Sequence, residues 1–312
     1  MTDNFASFEN RIDLAALQAS VQAIRAEIGK IIVGQSNFID LLITALLADG
    51  HVLVEGVPGV AKTLTAKLLA RTISTNFSRL QFTPDLMPSD VLGTSVYNFK
   101  TSDFEFKQGP IFSNLILIDE INRSPAKTQS ALFEVMEERQ ITIDGTCYPM
   151  EAPFLVLATQ NPIEQEGTYR LPEAQLDRFL FKIEVGYPSL AEEVSILAGY
   201  HDSNNRHNIE QVNAVLSRSE LISYRNLVKN IHIDANLLQY IAEIVQSTRN
   251  NKDLYLGASP RASLAIMHSA KAYAAMQGRD FVMPEDLQYL CKPVMRHRII
   301  LSPEKEMEGI SA

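Results

Sequence analysis

The sequence predicts an α/β fold in which helices wrap a parallel β-sheet, followed by a smaller all-helical domain. Four or five short apolar runs do not alternate with polar residues, which indicates strands that are buried on both faces. These runs are HVLVEG at 51–56, RLQF at 79–82, NLILIDE at 114–120, FLVLAT at 154–159 and FKIEV at 181–185. Because helical segments at 62–73 and 125–139 separate them, a parallel sheet is the expected assembly.

A domain boundary is predicted where the pattern changes. After Tyr187 and Pro188 the strand-like runs stop and helical periodicity takes over. The 312 residues are about twice the length of a typical domain. We therefore expect an N-terminal helix and α/β core over residues 1–187 and an all-helical domain over residues 188–312.

The helices are predicted by apolar residues that step by three and four. The first helix ends near Gly29 and its stripe consists of Leu14, Leu17, Val21, Ile24 and Ile28. An apolar helix follows over about 36–48. In the second domain one helix face carries Leu237, Leu238, Ile241, Ile244 and Val245. Pro260 and Pro284 stand where first-turn prolines often open helices.

Two β-hairpins interrupt the alternation of strands and helices. The first lies between Gly93 and Gly109, and every second position carries an aromatic residue, namely Tyr97, Phe99, Phe104 and Phe106. These aromatic rings either pack one face of the hairpin, which is the commoner role, or grip a substrate. The second hairpin fits QITIDGTCYPM and turns at Asp144 and Gly145.

Composition favours a folded protein in the cytoplasm. Hydrophobic residues make up 46% and charged residues 21% of the chain, as in average globular proteins. The net charge of −9 opposes a surface that tracks nucleic-acid phosphates. No apolar stretch is long enough to span a bilayer, and the start lacks the order of a signal peptide. Cys147 and Cys291 lack metal-ligand spacing, so we expect two buried, free thiols.

A phosphate-binding loop is predicted at GVPGVAKT, which follows the strand HVLVE and precedes a helix. Glycines let the backbone approach phosphates, and the helix N-terminus favours negative charge. Lys62 is suited to the outer phosphates and the Thr63 hydroxyl to Mg²⁺. The strict pattern has Gly where this chain has Ala61, and we expect a small residue to fit there. The alternative is a chance Gly-rich turn with an exposed lysine.

Polar residues end two of the buried strands. Asp119 and Glu120 follow LILI, and ligands bind at the carboxyl ends of strands in open α/β sheets. Asp119 is suited to hold Mg²⁺ and Glu120 to polarise the water that attacks a terminal phosphate. Asn161 follows FLVLATQ and is suited to orient that water, although an Asn before Pro is also an ordinary turn.

These motifs, in this order, resemble those of the AAA+ ATPases, and more narrowly those of the MoxR family. The motifs are GVPGVAKT, LILIDEINR, ATQNP, LPEAQLDRF and GASPRAS, and the resemblance spans about residues 30–300. MoxR modules carry one β-hairpin inserted in the second core helix and another before the sensor strand, where both predicted hairpins fall. The resemblance implies a P-loop NTPase (AAA+) core with inserted β-hairpins, followed by a small all-helical lid domain.

The resemblance also implies residue roles. Lys62 and Thr63 match the Walker A pair, Asp119 and Glu120 match the Walker B pair, and Thr63 and Asp119 are the implied Mg²⁺ ligands. Asn161 matches sensor 1. The segment IVGQ, from Ile32 on, resembles the adenine-side wall. The implied nucleotide contacts are Val33, Gly34, Gln35, Gly56, Val57, Pro58, Gly59, Val60, Ala61, Lys62, Thr63 and Leu64.

Three arginines are candidates for the family's charge-stabilising roles. Arg261 in GASPRAS matches the second sensor, and Arg178 in QLDRF matches the arginine finger. Arg170 lies on the same loop and is a rival for that role. An unpaired surface arginine, or a structural contact between an arginine and Asp177, is the alternative for either residue. A guanidinium from another chain can accelerate phosphoryl transfer by roughly 10³ to 10⁵.

The resemblance implies ATP hydrolysis with Mg²⁺ in a homo-oligomeric ring, by resemblance a hexamer. On this interpretation the ring remodels, matures or activates protein complexes, with von Willebrand A domain proteins as possible partners. Two alternatives stay open, a DNA-acting motor and a non-hydrolysing scaffold that depends on nucleotide. The net charge opposes nucleic acid as a partner, and in the first hairpin Lys100 and Lys107 are isolated basic residues.

Overall fold

The computed structural model describes residues 12–161, 168–169, 171–202 and 209–310. Its helices are α1 (Ala15–Gly29), α2 (Ser36–Leu47), α3 (Lys62–Thr72), α4 (Pro88–Leu92), α5 (Ala126–Glu138), α6 (Glu173–Leu176), α7 (Leu190–Asp202), α8 (Arg218–Lys229), α9 (Ala235–Arg249), α10 (Pro260–Met276), α11 (Pro284–Met295) and α12 (Pro303–Met307). Its strands are β1 (His51–Gly56), β2 (Ile73–Ser74), β3 (Phe77–Gln81), β4 (Gly93–Asn98), β5 (Asp103–Gln108), β6 (Leu115–Asp119), β7 (Gln140–Ile143), β8 (Thr146–Pro149), β9 (Leu155–Gln160), β10 (Phe179–Val185), β11 (Leu216–Ser217), β12 (Leu254–Leu256) and β13 (Ile300–Leu301).

The centre of the fold is a five-stranded parallel sheet in the order β10-β1-β9-β6-β3. Every predicted apolar run overlaps one of these strands, so the predicted fold class is confirmed. Strand β10 is longer than its predicted apolar run, FKIEV. Phe179 pairs with His51 of β1, and Phe179 and Leu180 are both buried. Parallel pairing places the carboxyl ends of all five strands at one edge of the sheet.

Two hydrophobic cores cover the two faces of this sheet. In β6, Leu115 and Leu117 face the core that holds α1, α2 and α3. Ile116 and Ile118 face the opposite core, which α5 covers. Continuous apolar runs are thus explained by burial on both faces. Helix α10 also joins the first core and packs on α1 and α2, so the C-terminal helices rest on the sheet domain.

The C-terminal region is helical, with two short strand pairings. Strand β11 pairs with β2 of the sheet domain, and β12 pairs with β13. Helices α10 and α11 begin at Pro260 and Pro284, as predicted. In α9 the buried side chains are Ile241 and Val245, whereas Leu238, which the sequence pattern places on the same face, is 42% exposed. The predicted boundary at residues 187 and 188 falls between β10 and α7 and stays a prediction.

Both predicted hairpins are present, as β4–β5 and β7–β8. The second turns at Asp144 and Gly145, whose φ angles of 50° and 79° lie in the left-handed region. Cys147 of this hairpin is exposed, and its thiol donates to the Gln140 amide oxygen. Because Cys147 is exposed, the expectation that both thiols are buried is wrong. Among the described residues, no helix is long and apolar enough to cross a membrane.

The aromatic residues of the first hairpin separate into a base and a tip. Phe106 at the base packs 4.6 Å from the Tyr148 ring of the second hairpin. At the tip, Tyr97 and Phe104 are directly opposed and their rings pack edge to face at 5.3 Å. Phe99 is 88% exposed and Phe104 is 67% exposed. Packing therefore explains Phe106, whereas the tip presents aromatic surface to solvent.

A buried histidine joins β1 to its neighbours. The His51 Nδ1 accepts a hydrogen bond from the Val156 N–H at 3.0 Å, and Nε2 lies 3.2 Å from the Met136 carbonyl oxygen. This arrangement fits the neutral ring with its proton on Nε2. Burial, together with the nearby Arg139 guanidinium, lowers the pKa of His51 to about 3.

This histidine should make stability depend on pH. The pKa of His51 in the folded protein lies below its value of about 6.5 in the unfolded protein. The contribution of the neutral ring to the free energy of unfolding is therefore complete above that unfolded value and is lost as the pH falls. We expect about 2 kcal/mol of the unfolding free energy to be lost between pH 7.5 and 5 through this residue. His51→Gln should be less stable at pH 7.5 and show a shallower pH dependence in urea titrations. The control His232→Gln, at an exposed position, should keep the wild-type slope, and equal slopes in both variants would contradict the assignment.

Candidate functional site

The phosphate loop connects β1 to α3 at the carboxyl edge of the sheet. A Cβ on Gly56 would lie 2.5 Å from the Val185 carbonyl oxygen, so only glycine fits at this strand end. Gly59 has a φ of 88°, and apart from its chain neighbours nothing lies within 4 Å of where a Cβ would stand, which leaves the loop open above it. The amino end of α3 follows directly, and its N–H groups favour an anion.

Ala61 occupies the position where the strict loop pattern has glycine. Its φ of 58° and ψ of 19° lie in the left-handed region. For a residue with a Cβ this conformation costs roughly 1 kcal/mol or more. The small side chain does fit, but the backbone shape still favours glycine, in agreement with the strict pattern.

The Lys62 ammonium group folds back and donates to the Gly56 carbonyl oxygen. Burial lowers the pKa of Lys62, whereas the nearby carboxylates of Asp119 and Glu120 act in the opposite direction. The lysine therefore lies inside the loop, next to both acids. Its position is suited to an incoming phosphate group, which would replace the carbonyl as its partner.

Asp119 is the buried centre of a polar network. Its Oδ1 accepts hydrogen bonds from the Thr63 hydroxyl at 3.1 Å and from the Thr159 hydroxyl at 3.3 Å. Its Oδ2 accepts from Arg79 Nε at 2.6 Å. The structure thus brings together Thr63 and Asp119, the two predicted Mg²⁺ ligands.

Glu120 follows Asp119 in an unusual backbone conformation, with φ 58° and ψ 51°. Its N–H donates to the Thr159 hydroxyl at 3.1 Å, which helps to hold this conformation. The carboxylate accepts from Gln81 Nε2 at 3.0 Å and pairs with Arg123 Nε at 2.9 Å. Asn161 is buried at the end of the neighbouring strand β9. Both acids and the amide therefore lie at the edge that carries the phosphate loop.

The segment predicted to form the adenine-side wall lies against this loop. Gln35 Nε2 donates to the Val60 carbonyl oxygen at 3.1 Å. Gly34 has a φ of 69°, and a Cβ there would lie 2.0 Å from a carboxylate oxygen of Glu192 in α7. Val33 precedes them and Ile32 is buried in the first core. Helix α7 is thus a neighbour of the predicted nucleotide site.

Arg178 and Arg261 lie at the opposite edge of the sheet. Arg178 precedes Phe179, whose partner in the register is His51 at the amino end of β1. The six residues of β1 separate this edge from the phosphate loop by roughly 20 Å. Neither arginine is therefore next to the loop of its own chain.

One carboxylate holds both arginines. Arg261 donates from Nη2 to Glu137 Oε1 at 2.7 Å and from Nη1 to Oε2 at 3.3 Å. Arg178 Nε lies 3.2 Å from the same Oε2. The rival Arg170 lies outside the described residues. The two positively charged guanidinium groups repel each other at short range. The Glu137 carboxylate, which contacts both, offsets this repulsion and allows them to lie side by side.

The alternative of a structural contact with Asp177 involves a different arginine. Arg298 Nε donates to Asp177 Oδ1 at 2.7 Å, and the Ser259 hydroxyl donates to Oδ2 at 2.9 Å. Arg298 is buried and also donates to the carbonyl oxygens of Phe179 and Leu180. The Asp177 carboxylate is thus paired with Arg298, whereas Arg178 pairs with Glu137.

Sequence reasoning missed several residues of this site, among them Gln81 and Arg123, which contact Glu120. Arg79 begins one of the strand runs and Thr159 ends another, and a polar residue at the end of such a run was the available signal. Glu137 near the end of a helix is an ordinary residue by pattern alone. Within the described part of the chain, no group of three or more His, Cys, Asp or Glu residues is placed to hold a metal ion. This is compatible with Mg²⁺, which often binds through one carboxylate together with substrate phosphates.

Comparisons with known proteins indicate the family of this chain. Residues 51–181 match the ATPase family associated with various cellular activities (AAA), and residues 246–312 match the AAA lid domain. The uncharacterized protein YeaC of Bacillus subtilis (strain 168) is 50% identical over 91% of this chain and 88% of its own. Chaperone MoxR1 of Mycobacterium tuberculosis is 44% identical over 96% of this chain and 80% of its own.

A solved structure has the same fold. A crystal structure of a candidate ATPase from Cytophaga hutchinsonii ATCC 33406 superposes with a TM-score of 0.87, at 45% identity, covering 95% of this chain and 92% of that one. The matched family models and the fold define an AAA+ ATPase. More particularly, the chain belongs to the MoxR family of these proteins. The roles of the individual site residues stay predictions.

The strain at Ala61 can be measured. We expect Ala61→Gly to raise the free energy of unfolding by up to about 1 kcal/mol, because glycine adopts the left-handed conformation without a Cβ clash. Ala19→Gly is the matched control, since Ala19 is exposed in the middle of α1 and should lower stability by about 1 kcal/mol. Urea unfolding without nucleotide measures both changes. If the two variants lose stability equally, the loop is not strained at Ala61.

Proposed function

We propose that this protein binds ATP with Mg²⁺ at the phosphate loop and hydrolyses it between subunits of a homo-oligomeric ring. The observation that carries the proposal is the division of the site. Thr63, Asp119 and Glu120 lie at the carboxyl edge of the sheet, whereas Arg178 and Arg261 lie together at the amino edge. A complete site, in which the phosphate loop and the two arginines lie together, therefore requires two chains.

The residues at the carboxyl edge fit a nucleotide and its metal ion. The loop from Gly56 to Thr63 supplies backbone N–H groups for the phosphates, and Lys62 supplies a cation. The Thr63 hydroxyl and Asp119 Oδ1 lie 3.1 Å apart, and hydroxyl and carboxylate oxygens are ligands that Mg²⁺ prefers. The bound Mg²⁺ would neutralise charge on the β- and γ-phosphates.

Glu120 is the proposed general base, and Asn161 is proposed to orient the attacking water. The Glu120 carboxylate is held by Gln81 and Arg123, and its backbone by Thr159. These contacts fix its direction without burying it. A base with a fixed direction can accept the proton of the water as that water attacks the γ-phosphorus.

Arg178 and Arg261 are proposed to act on the nucleotide of the neighbouring subunit. Charge spreads over the γ-phosphate oxygens during the reaction, and guanidinium groups from another chain stabilise it. Glu137 is the proposed positioning residue, because it holds both guanidinium groups in one place before the neighbour arrives. On this proposal a free subunit lacks half of its site and turns over ATP slowly.

We propose that the ring is a hexamer that remodels protein complexes in the cytoplasm. The relative named Chaperone MoxR1 supports a protein substrate, and von Willebrand A domain proteins are candidate partners. The exposed tip of the first hairpin, formed by Tyr97, Phe99 and Phe104, is suited to contact a polypeptide. In this proposal residues 188–312 form the lid domain and residues 1–187 the helix and nucleotide-binding core.

Mutations can separate nucleotide binding from nucleotide hydrolysis. Lys62→Ala should lose nucleotide affinity, because the loop loses the cation for the outer phosphates. Glu120→Gln should bind ATP normally and hydrolyse it at least ~10²-fold more slowly, the scale of a lost general base. Calorimetry and a phosphate-release assay measure these effects. Glu285→Gln, an exposed acid on α11, is the control and should keep the wild-type rate; a wild-type rate in Glu120→Gln would remove that residue from the mechanism.

Mixed rings test whether the site lies between subunits. Arg178→Ala leaves the phosphate loop intact and Lys62→Ala leaves the arginines intact, so each inactive chain should complement the other. Activity should partly return on mixing, because some interfaces then combine both intact halves. Arg261→Ala should behave in the same way.

The matched control is a mixture of Lys62→Ala with Glu120→Gln, which should stay inactive because both changes affect the same edge. Light scattering establishes that the chains assemble together. If co-assembled rings of Arg178→Ala and Lys62→Ala stay inactive, Arg178 does not act in trans, and Arg170 becomes the residue to test.

A further inference from the structure

We propose that the exposed face of α7 docks into a groove beside Arg178 and Arg261 on a second copy of this chain. The α7 face consists of Leu190, Glu193, Val194 and Leu197. This inference rests on the proposed function, since it names the surfaces that would bring the two halves of the site together. It assigns an interaction surface to each side of the subunit contact.

Helix α7 is a helix without a buried face. Leu190 is 81% exposed, Val194 is 58% exposed and Leu197 is 65% exposed. None of its described side chains is buried. The four residues of the α7 face are spaced i, i+3, i+4 and i+7, so they lie in one stripe. An isolated helix of 13 residues is marginal in water, and such a stripe is typical of a helix that a partner covers.

The position of α7 indicates which partner that is. The Glu192 carboxylate of α7 lies against Gly34, and Gln35 next to it is hydrogen-bonded to Val60 of the phosphate loop. A chain that inserts arginines at this nucleotide site must therefore pass close to α7. The chain that the proposed function requires there is a second copy of this protein.

The opposite edge of the same chain carries a groove of matching character. Two cavities adjoin there, and both are lined by Ala48, Asp49 and His268. The first cavity is also lined by Arg178, Arg261 and Leu264. The second is also lined by Ile222, Lys229 and Lys271. We call these two cavities the α8–α10 groove. It therefore runs from the two arginines to a pair of lysines.

The α8–α10 groove complements the α7 face in polarity and in charge. Leu264 is 54% exposed and Ile222 is 37% exposed, so both offer apolar contact to a helix. Lys229 and Lys271 form no ion pair with any described residue, and Glu193 in the middle of the α7 face likewise has none. An amphipathic helix in a groove is a common recognition mode, with apolar anchors for affinity and charges for register.

The two surfaces are different patches on opposite edges of one chain. Contact between them is head to tail, and repeated head-to-tail contacts close into a ring when the rotation permits. Each contact would place the arginines of one copy beside the nucleotide of the next, which a contact between two identical patches would not do. The geometry thus connects docking of α7 with completion of the site.

A single charge in the α7 face should prevent assembly. We expect Leu197→Glu to need at least about a tenfold higher protein concentration to assemble, since a buried leucine contact is lost. Sedimentation velocity with Mg²⁺ and ADP measures assembly without requiring hydrolysis. Met307→Glu is the matched control, because Met307 is 82% exposed on α12, outside both surfaces. Leu197→Glu should keep its helical circular dichroism and its affinity for ADP as a monomer.

A charge exchange tests the pairing itself. Glu193→Lys and Lys271→Glu should each weaken assembly, and the chain carrying both changes should regain at least part of it. Lys252→Glu, at an exposed lysine outside the groove, is the control and should not rescue Glu193→Lys. Lys229→Glu should replace Lys271→Glu if Glu193 is nearer to that lysine.

Assembly of Leu197→Glu at the wild-type concentration would overturn the proposal, and so would failure of both lysine variants to rescue Glu193→Lys. These results are independent of the proposed function, which the mixture of Arg178→Ala and Lys62→Ala tests by activity. If that mixture regains activity while Leu197→Glu still assembles, the subunits meet through other surfaces. A wild-type chain that stays monomeric and hydrolyses ATP would overturn both proposals.

Discussion

Parallel pairing of β1 with β9 and β10 is the constraint on which the rest of this structure depends. It collects the carboxyl ends of the strands at one edge, where the phosphate loop, both acids and Asn161 follow them. It also puts Arg178 at the other edge, because this residue precedes β10 rather than following it. A strand of roughly 20 Å then separates residues that the proposed reaction needs together. The division of the site is therefore a consequence of strand direction.

Buried polar groups hold the amino edge in place. His51 connects β1 to a carbonyl of α5 and to the backbone of β9. Arg298 connects the C-terminal helices to Asp177 and to the start of β10. Since Arg178 lies between Asp177 and β10, its backbone is anchored on both sides. Such fully hydrogen-bonded groups are costly to break, so this edge is a rigid base for the two arginines.

The carboxyl edge holds backbone strain, which is also present at Asp49 and Arg139 near the amino edge. Ala61 and Glu120 both adopt left-handed conformations although neither is glycine. Hydrogen bonds oppose this strain at Glu120, where Thr159 accepts from its N–H. Strained residues of this kind cluster at functional sites, where the surrounding structure imposes the conformation. The strain is thus in agreement with a site that receives its ligand in a preformed loop.

By itself the sequence determined the five strands of the central sheet, the two hairpins, the loop GVPGVAKT and the acids that follow LILI, as well as the family. These features depend on local patterns, because apolar runs, turn residues and loop motifs act over a few neighbouring positions. The tertiary structure alone decided that Glu137 holds both Arg178 and Arg261 and that Arg79 reaches Asp119. It also decided that the apolar face of α7 is exposed rather than buried. Contacts of this kind join segments far apart in the chain, and their partners follow from strand order and packing, which no local pattern encodes.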